Sequence, residues 1–263
     1  ILGRTRAGLL GTAIAGIALG LVAGGAIASG PGFIGNIGDC GPGRSGGQVV
    51  EGSGTFTDRA DVRFDLDCGS LDVSVVSGTD WDVRAEYRGE SPQITETDTS
   101  LSLESPDGFG LRGQDWTVRL PADRLGEISM QGNASTGTID LSTAELTRFL
   151  ADFNAGDLRV DASDASIDRV DVSLNAGRIR MTLGQGGVSG SLSANAGSLE
   201  LCVPPDVGLR FTVDDQITFG HNLDDRGLSR DGDTWTRDGD SPVIDLAVDG
   251  NATNFSLDPE DGC

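Results

Sequence analysis

FNAGDLRV at Phe153–Val160, LNAGRIRM at Leu174–Met181 and ANAGSLEL at Ala194–Leu201 are three copies of one phrase. In each, an Asn-Ala-Gly step (Asn154 to Gly156, Asn175 to Gly177, Asn195 to Gly197) opens a short run of alternating apolar and polar side chains. A weaker copy, NASTGTIDL, runs from Asn133 to Leu141. Taking Gly137, Gly156, Gly177 and Gly197 as equivalent gives spacings of 19, 21 and 20 residues. A period near 20 residues marks stacked units, none of which can bury its apolar face alone.

Period-2 alternation within the repeats predicts strands with one buried face. Leu158 and Val160 face inward, followed by Val170, Val172 and Leu174, by Ile179, Met181 and Leu183, by Leu192 and Ala194, and by Leu199, Leu201 and Val203. Each unit reads as two short strands joined by turns. Stacking would align the asparagines into a ladder of side-chain hydrogen bonds and let the corner glycines take positive φ. The only stretch compatible with a helix in this region is Ala144 to Leu150. Upstream, Leu71 to Val75, Trp81 to Tyr87, Leu101 to Leu103 and Trp116 to Leu120 alternate in the same way. Downstream, Pro204 and Pro205 break the repeat. Leu209 to Val213, Ile244 to Val248, and Phe255 with Leu257 read as strands of a cap, which an open solenoid end requires.

The expected fold class is all-β, a β-solenoid-like stacked repeat preceded by one transmembrane helix. Residues 1–6 read as a cytoplasmic stub, 7–28 as the helix and 29–54 as a Gly/Pro-rich linker. Residues 55–130 read as an N-terminal β-strand region, 131–205 as the β-repeat region and 206–263 as the C-terminal β cap. Composition agrees: aromatic residues make up 5% and glycine numbers 40 in 263 residues, which suits thin layers and many turns. Ala7–Ala28 is long enough to cross a bilayer core. Arg4 and Arg6 precede it, and the next basic residue is Arg44. The positive-inside rule then places the N-terminus in the cytoplasm and the β-domain outside the cell membrane, as a single-pass protein. The competing reading is a cleaved signal peptide ending at Ala26-Ile27-Ala28. Gly16, Gly20 and Gly24 line one helix face and suit helix association, in a homo-oligomer or with a membrane-embedded partner. The alternative is a helix merely rich in small residues. The tether has ten glycines in 26 residues and, if flexible, spans roughly 28 Å.

The chain carries 41 acidic and 19 basic residues, all of the latter Arg, for a net charge of −22. Phosphate backbones are repelled by such a chain, so nucleic acid is not an expected partner. A divalent cation is a candidate ligand: the tandem RDGDTW/RDGDSP offers Asp231, Asp233, Asp238 and Asp240. Neither an EF-hand loop nor a nonapeptide Ca²⁺ repeat accompanies these residues, and Asp-Gly pairs are ordinary turn formers. Cys40, Cys68, Cys202 and Cys263 permit three full pairings; Cys40–Cys68 and Cys202–Cys263 are favoured in an extracytoplasmic setting. His221 is the one histidine and reads as a surface-loop residue. With no nucleophile elbow, P-loop or dinucleotide fingerprint, the sequence points to no catalytic residue, no cofactor and no enzyme. Three N-glycosylation sequons, at Asn133, Asn251 and Asn254, complete the motifs.

Asn154 to Cys263 resembles the bacterial toast-rack family of adhesin-like β-strand-repeat domains. The resemblance rests on repeated NAG-x-[LI]-x-[VLM], on GSLELCVPPDVGLRFTV, on GDTW and on the ending NFSLDPEDGC, with a looser match over Thr55–Met130. It implies a membrane-tethered all-β envelope domain without established catalytic residues. Relatives often accompany PspC-like or LiaF-like proteins of envelope-stress signalling. This chain departs from them in showing one simple anchor and no multi-span module.

Overall fold

The computed structural model describes residues 47–106, 113–214, 220–260 and 262–263. The expected stub, membrane helix and most of the tether, including Gly16, Gly20, Gly24 and Cys40, lie outside the described residues. Among the described residues no helix is long and apolar enough to cross a membrane.

Among the described residues fifteen strands form one sheet. They are β1 (Gln48–Thr55), β2 (Ala60–Val76), β3 (Asp80–Tyr87), β4 (Gln93–Thr97), β5 (Ser100–Glu104), β6 (Gln114–Pro121), β7 (Leu125–Asp140) and β8 (Glu145–Ala162). The series continues with β9 (Ser166–Leu183), β10 (Val188–Cys202), β11 (Val207–Asp214), β12 (Gly220–His221), β13 (Ser229–Asp231), β14 (Thr234–Arg237) and β15 (Asp240–Leu257). The stretch compatible with a helix is strand: Glu145 to Leu150 opens β8, because Leu146 and Phe149 are drawn into the core. β1 starts at Gln48, inside the segment read as linker, and β7 runs across the boundary expected at residue 130.

Six strands, β2, β7, β8, β9, β10 and β15, stack in parallel and in register as the rungs. Each rung is one continuous strand rather than two. The bend shows as a change of parity. In β8, Phe149, Ala151 and Phe153 are buried before the corner, and Leu158, Val160 and Ala162 after it. A straight pleated strand would put these two sets on opposite faces. The extra residue at Asn-Ala-Gly turns the chain, so both legs of the rung face one apolar cluster running from Phe56 to Leu257. Full burial of each Leu, Ile, Val or Phe contributes about 1.5–3 kcal/mol. Rungs therefore hold together by their inward rows, and no large aromatic core is needed.

The actual breaks between rungs are polar turns. Asp140 and Asp161 accept the amides of Ser142 and Ser163, at 3.0 and 3.1 Å, closing Asx turns. Both ends of the stack are closed by further strands. At one end β5 and β4 extend the first leg of β2, while β6, β3 and β1 extend the second. Phe56 and Trp81 stack beneath them with centroids 6.3 Å apart. At the other end β11, β14 and β13 continue from β15, and β12 pairs with its second leg.

The C-terminal sixty residues are thus more than a cap. β15 inserts between β10 and β11 as a sixth rung, aligning Ala252 with Ala196 and Thr253 with Gly197. The disulfide Cys202–Cys263 forms as expected. Cys68 is also disulfide-bonded; its expected partner, Cys40, lies outside the described residues.

Candidate functional site

The rung corners carry a continuous row of hydrogen-bonded polar side chains. Asn133 donates from Nδ2 to Asp67 Oδ1 at 2.5 Å, and Asn154 to Asn133 at 2.5 Å. Asn175 donates to Asn154 at 2.8 Å, Asn195 to Asn175 at 2.6 Å and Asn251 to Asn195 at 2.8 Å. All the amides point the same way along the stack. Asp occupies the head because the first member only has to accept, and a carboxylate accepts more strongly than an amide.

The row beside the ladder is Gly69, Ser135, Gly156, Gly177, Gly197 and Thr253. Gly137, expected as the first corner glycine, lies instead opposite Leu158, and Ser135 holds the corner. The true spacing follows the asparagines. Gly177 has φ of 129°, and a Cβ there would collide with the Gly156 carbonyl oxygen. Gly177 serves both the bend and the close approach of rungs. The sequence does contain the two unrecognised rungs: Asp67-Cys68-Gly69-Ser70-Leu71 and Asn251-Ala252-Thr253-Asn254-Phe255 repeat the polar–small–small pattern with an apolar residue two places on.

Beside the ladder head, a groove of about 450 Å³ is lined by Asp65, Asp67, Glu104 and Asp152 with the amides of Gln131 and Asn133. Burial pushes the Asp65 carboxyl above its usual range, and Asp67 and Glu104 add to this while Arg63 opposes it. The outer faces also carry ion networks that cross rungs. Arg169 and Arg148 both bind Asp171, at 2.7 and 2.8 Å, and Ser191 donates to it. The Arg169 hydrogen bond is the main reason the Asp171 carboxyl falls to about 2. On the other leg Arg180 and Arg178 reach Glu200, at 2.5 and 3.5 Å. Burial raises Asp157 nearby, against the pull of Arg178.

The tandem acidic phrase resolves into turns. Asp231-Gly232-Asp233 is the tip of the β13–β14 hairpin, with Gly232 at φ of 61°. Asp231, Asp233 and Asp238 are exposed, and the side chain of Asp240 lies outside the described residues. Among the described residues no group of three or more His, Cys, Asp or Glu is placed to hold a metal ion. His221 belongs to β12 rather than a loop, and its ring meets Trp235 edge-on at 4.9 Å.

The family model for the N-terminal domain of toast_rack, DUF2154, matches residues 47–183, just over half of the chain. This chain belongs to the toast-rack family. The match covers the rungs β2 to β9 and includes the first two Asn-Ala-Gly phrases, while the third and the C-terminal motifs lie beyond it. The sequence matches none of the curated proteins. Among solved structures, a candidate cell adhesion protein from Clostridium sporogenes is similar at a TM-score of 0.51 and 11% identity, covering 80% of this chain and 99% of that one. A candidate adhesin from Bacteroides fragilis covers 81% and 98% at 12% identity and a TM-score of 0.37. At such identities the first likeness concerns the toast-rack fold alone, and the second carries no argument.

Proposed function

We propose that this toast-rack chain is a non-enzymatic, membrane-anchored extracytoplasmic protein, an interaction or sensing module of the cell envelope. The observation that carries the reading is the corner ladder with its in-register rungs. Its asparagines spend hydrogen-bonding capacity on one another, so the stack is a stiff polar rod suited to display rather than to chemistry. The apolar run Ala7–Ala28, with Arg4 and Arg6 just before it and no basic residue after it until Arg44, supplies the anchor and the outward topology. The adhesion naming of the Clostridium sporogenes protein fits exposure at a surface.

The test is to extract the full chain from its native membrane in mild detergent, measure its mass by size exclusion with light scattering, and identify co-eluting chains by mass spectrometry. Particles free of other stoichiometric subunits fit a self-standing module. Recovery of a specific hydrolase or transferase activity from the pure chain overturns it. A second reading rests on the spacing of Gly16, Gly20 and Gly24: an accessory subunit held through its helix against a membrane-embedded partner. Replacing those glycines with Leu then releases the partner, and unchanged co-purification refutes it. A divalent-cation role predicts that chelator lowers the melting temperature of the chain.

A further inference from the structure

We propose that the outer edge of β1 docks the same edge of a second copy of this chain, joining two stacks through an antiparallel two-fold strand pair. The proposal rests on the interaction reading above and names the partner.

Among the described residues four strands end the sheet: β1 and β4 at one end, β12 and β13 at the other. Three are blunted. β12 has 2 residues, β13 has 3 that are all exposed, and β4 has 5 residues with Glu96 on its inward side. β1 is different. It has 8 residues, and among the described residues nothing pairs with its outer edge. It contains no Pro and no Lys, the usual protections of an open edge. Its inward side is seated: added Cβ atoms at Gly52 and Gly54 would contact Trp81, Ile94 and Glu96. Its outward side carries Val49, 46% exposed and among the described residues one of three large apolar side chains left in solvent.

Charge selects the occupant. A chain of net charge −22 repels its own copy over most of its surface. β1 holds one charged residue, Glu51, which pairs at 2.6 Å with Arg84, a guanidinium it shares with Glu86. A two-fold pair of antiparallel strands is self-complementary, and the pleat requires like faces to meet, so the axis passes through a residue pair. Axes through Glu51 or through Gly52 each overlap seven of the eight residues; the first sets the two Glu51 side chains directly opposite each other, so the axis lies at Gly52. Val49 then faces Thr55 of the copy and Glu51 faces Ser53, so no two glutamates stand directly opposite. The tether enters the domain at β1, so anchors lying side by side hold two such edges at high effective concentration.

The test uses the full chain in mild detergent. The described cysteines are all disulfide-bonded, so introduced thiols report contacts. Oxidising a mixture of Glu51→Cys and Ser53→Cys chains is expected to give cross-linked dimer several-fold above either variant alone. Val49→Lys, at an exposed position, is expected to weaken self-association at least tenfold with unchanged melting temperature. A monomer at every concentration overturns the proposal. So does a dimer that neither cross-links nor responds to Val49→Lys, which places the contact elsewhere, and cross-linking of Glu51→Cys alone overturns the register. These results leave the envelope reading standing, since that reading fails only on enzymatic activity or on an obligate partner.

Discussion

Asn175 donates to Asn154 and accepts from Asn195, whereas Asp67 only accepts. That difference makes the ladder testable one residue at a time. Asn175→Asp removes the donor and sets a carboxylate against the Asn154 oxygen. Chemical denaturation at pH 7 is expected to show a loss of about 1–2 kcal/mol, partly recovered in acid as the new carboxyl regains a proton. Asp67→Asn keeps the acceptor and is expected to change stability by less than about 1 kcal/mol. The corner row makes a second contrast. Gly177→Ala meets both a positive φ and the Gly156 carbonyl, and is expected to cost roughly 3 kcal/mol or more. Gly137→Ala clashes with the Leu158 Cδ1, at 2.8 Å, which can shift, and makes ordinary contact with the Leu71 carbonyl at 3.5 Å, so about 1 kcal/mol is expected. Equal effects at the two glycines would contradict the register that puts Ser135 at the corner.

At the level of elements, β15 is where the chain departs from a simple sequential stack. It follows β14 in sequence yet lies between β10 and β11. Contacts between residues distant in sequence hold it there: Asn222 bridges both backbone groups of Leu257 at 2.8 and 2.9 Å, and Asp258 accepts the Val203 amide at 2.9 Å. Arg237 donates to the Pro204 carbonyl at 2.9 Å, tying β14 to the chain entering β11. The Cys202–Cys263 bond closes a loop with a sequence separation of 61 around this whole unit. Cys263→Ser is expected to lower stability by about 2–4 kcal/mol in a urea titration. Loss confined to β11–β15, read by hydrogen exchange, would show that the inserted rung opens before the others. The sequence between β11 and β15 is mostly polar, yet Leu223, Leu228 and Trp235 in it are buried. Isolated apolar residues in a polar stretch have no periodicity to reveal them.

Across the whole molecule, carboxylates on the two outer faces pull stability in opposite directions with pH. The Asp171 carboxyl is lowered to about 2 from 3.8 in the unfolded chain. Its contribution is present above 3.8 and is lost as pH falls through about 2. Asp171→Asn is therefore expected to destabilise at pH 7, with the difference shrinking towards pH 2. Asp157 is raised by burial. Its contribution is present below the unfolded value of 3.8 and is lost as pH rises through its folded value. Asp157→Asn is expected to stabilise at pH 7, with the gain vanishing below about pH 3.8. Thermal melts of both variants from pH 2 to 7 check the signs.

Period and composition alone determined that this chain is all-β, that its units stack about every 20 residues, which side chains face inward, and that asparagines align. These are local properties: alternation dictates faces, and a fixed repeat length dictates alignment. Tertiary structure decided the rest. It showed one bent strand where two short ones were expected, because continuity through the corner depends on hydrogen bonds to neighbouring rungs. It moved the corner from Gly137 to Ser135, because register is a property of pairs of strands. It placed Asn251 five rungs from Asp67, since insertion of β15 is settled by contacts between residues far apart in sequence, which no local pattern encodes.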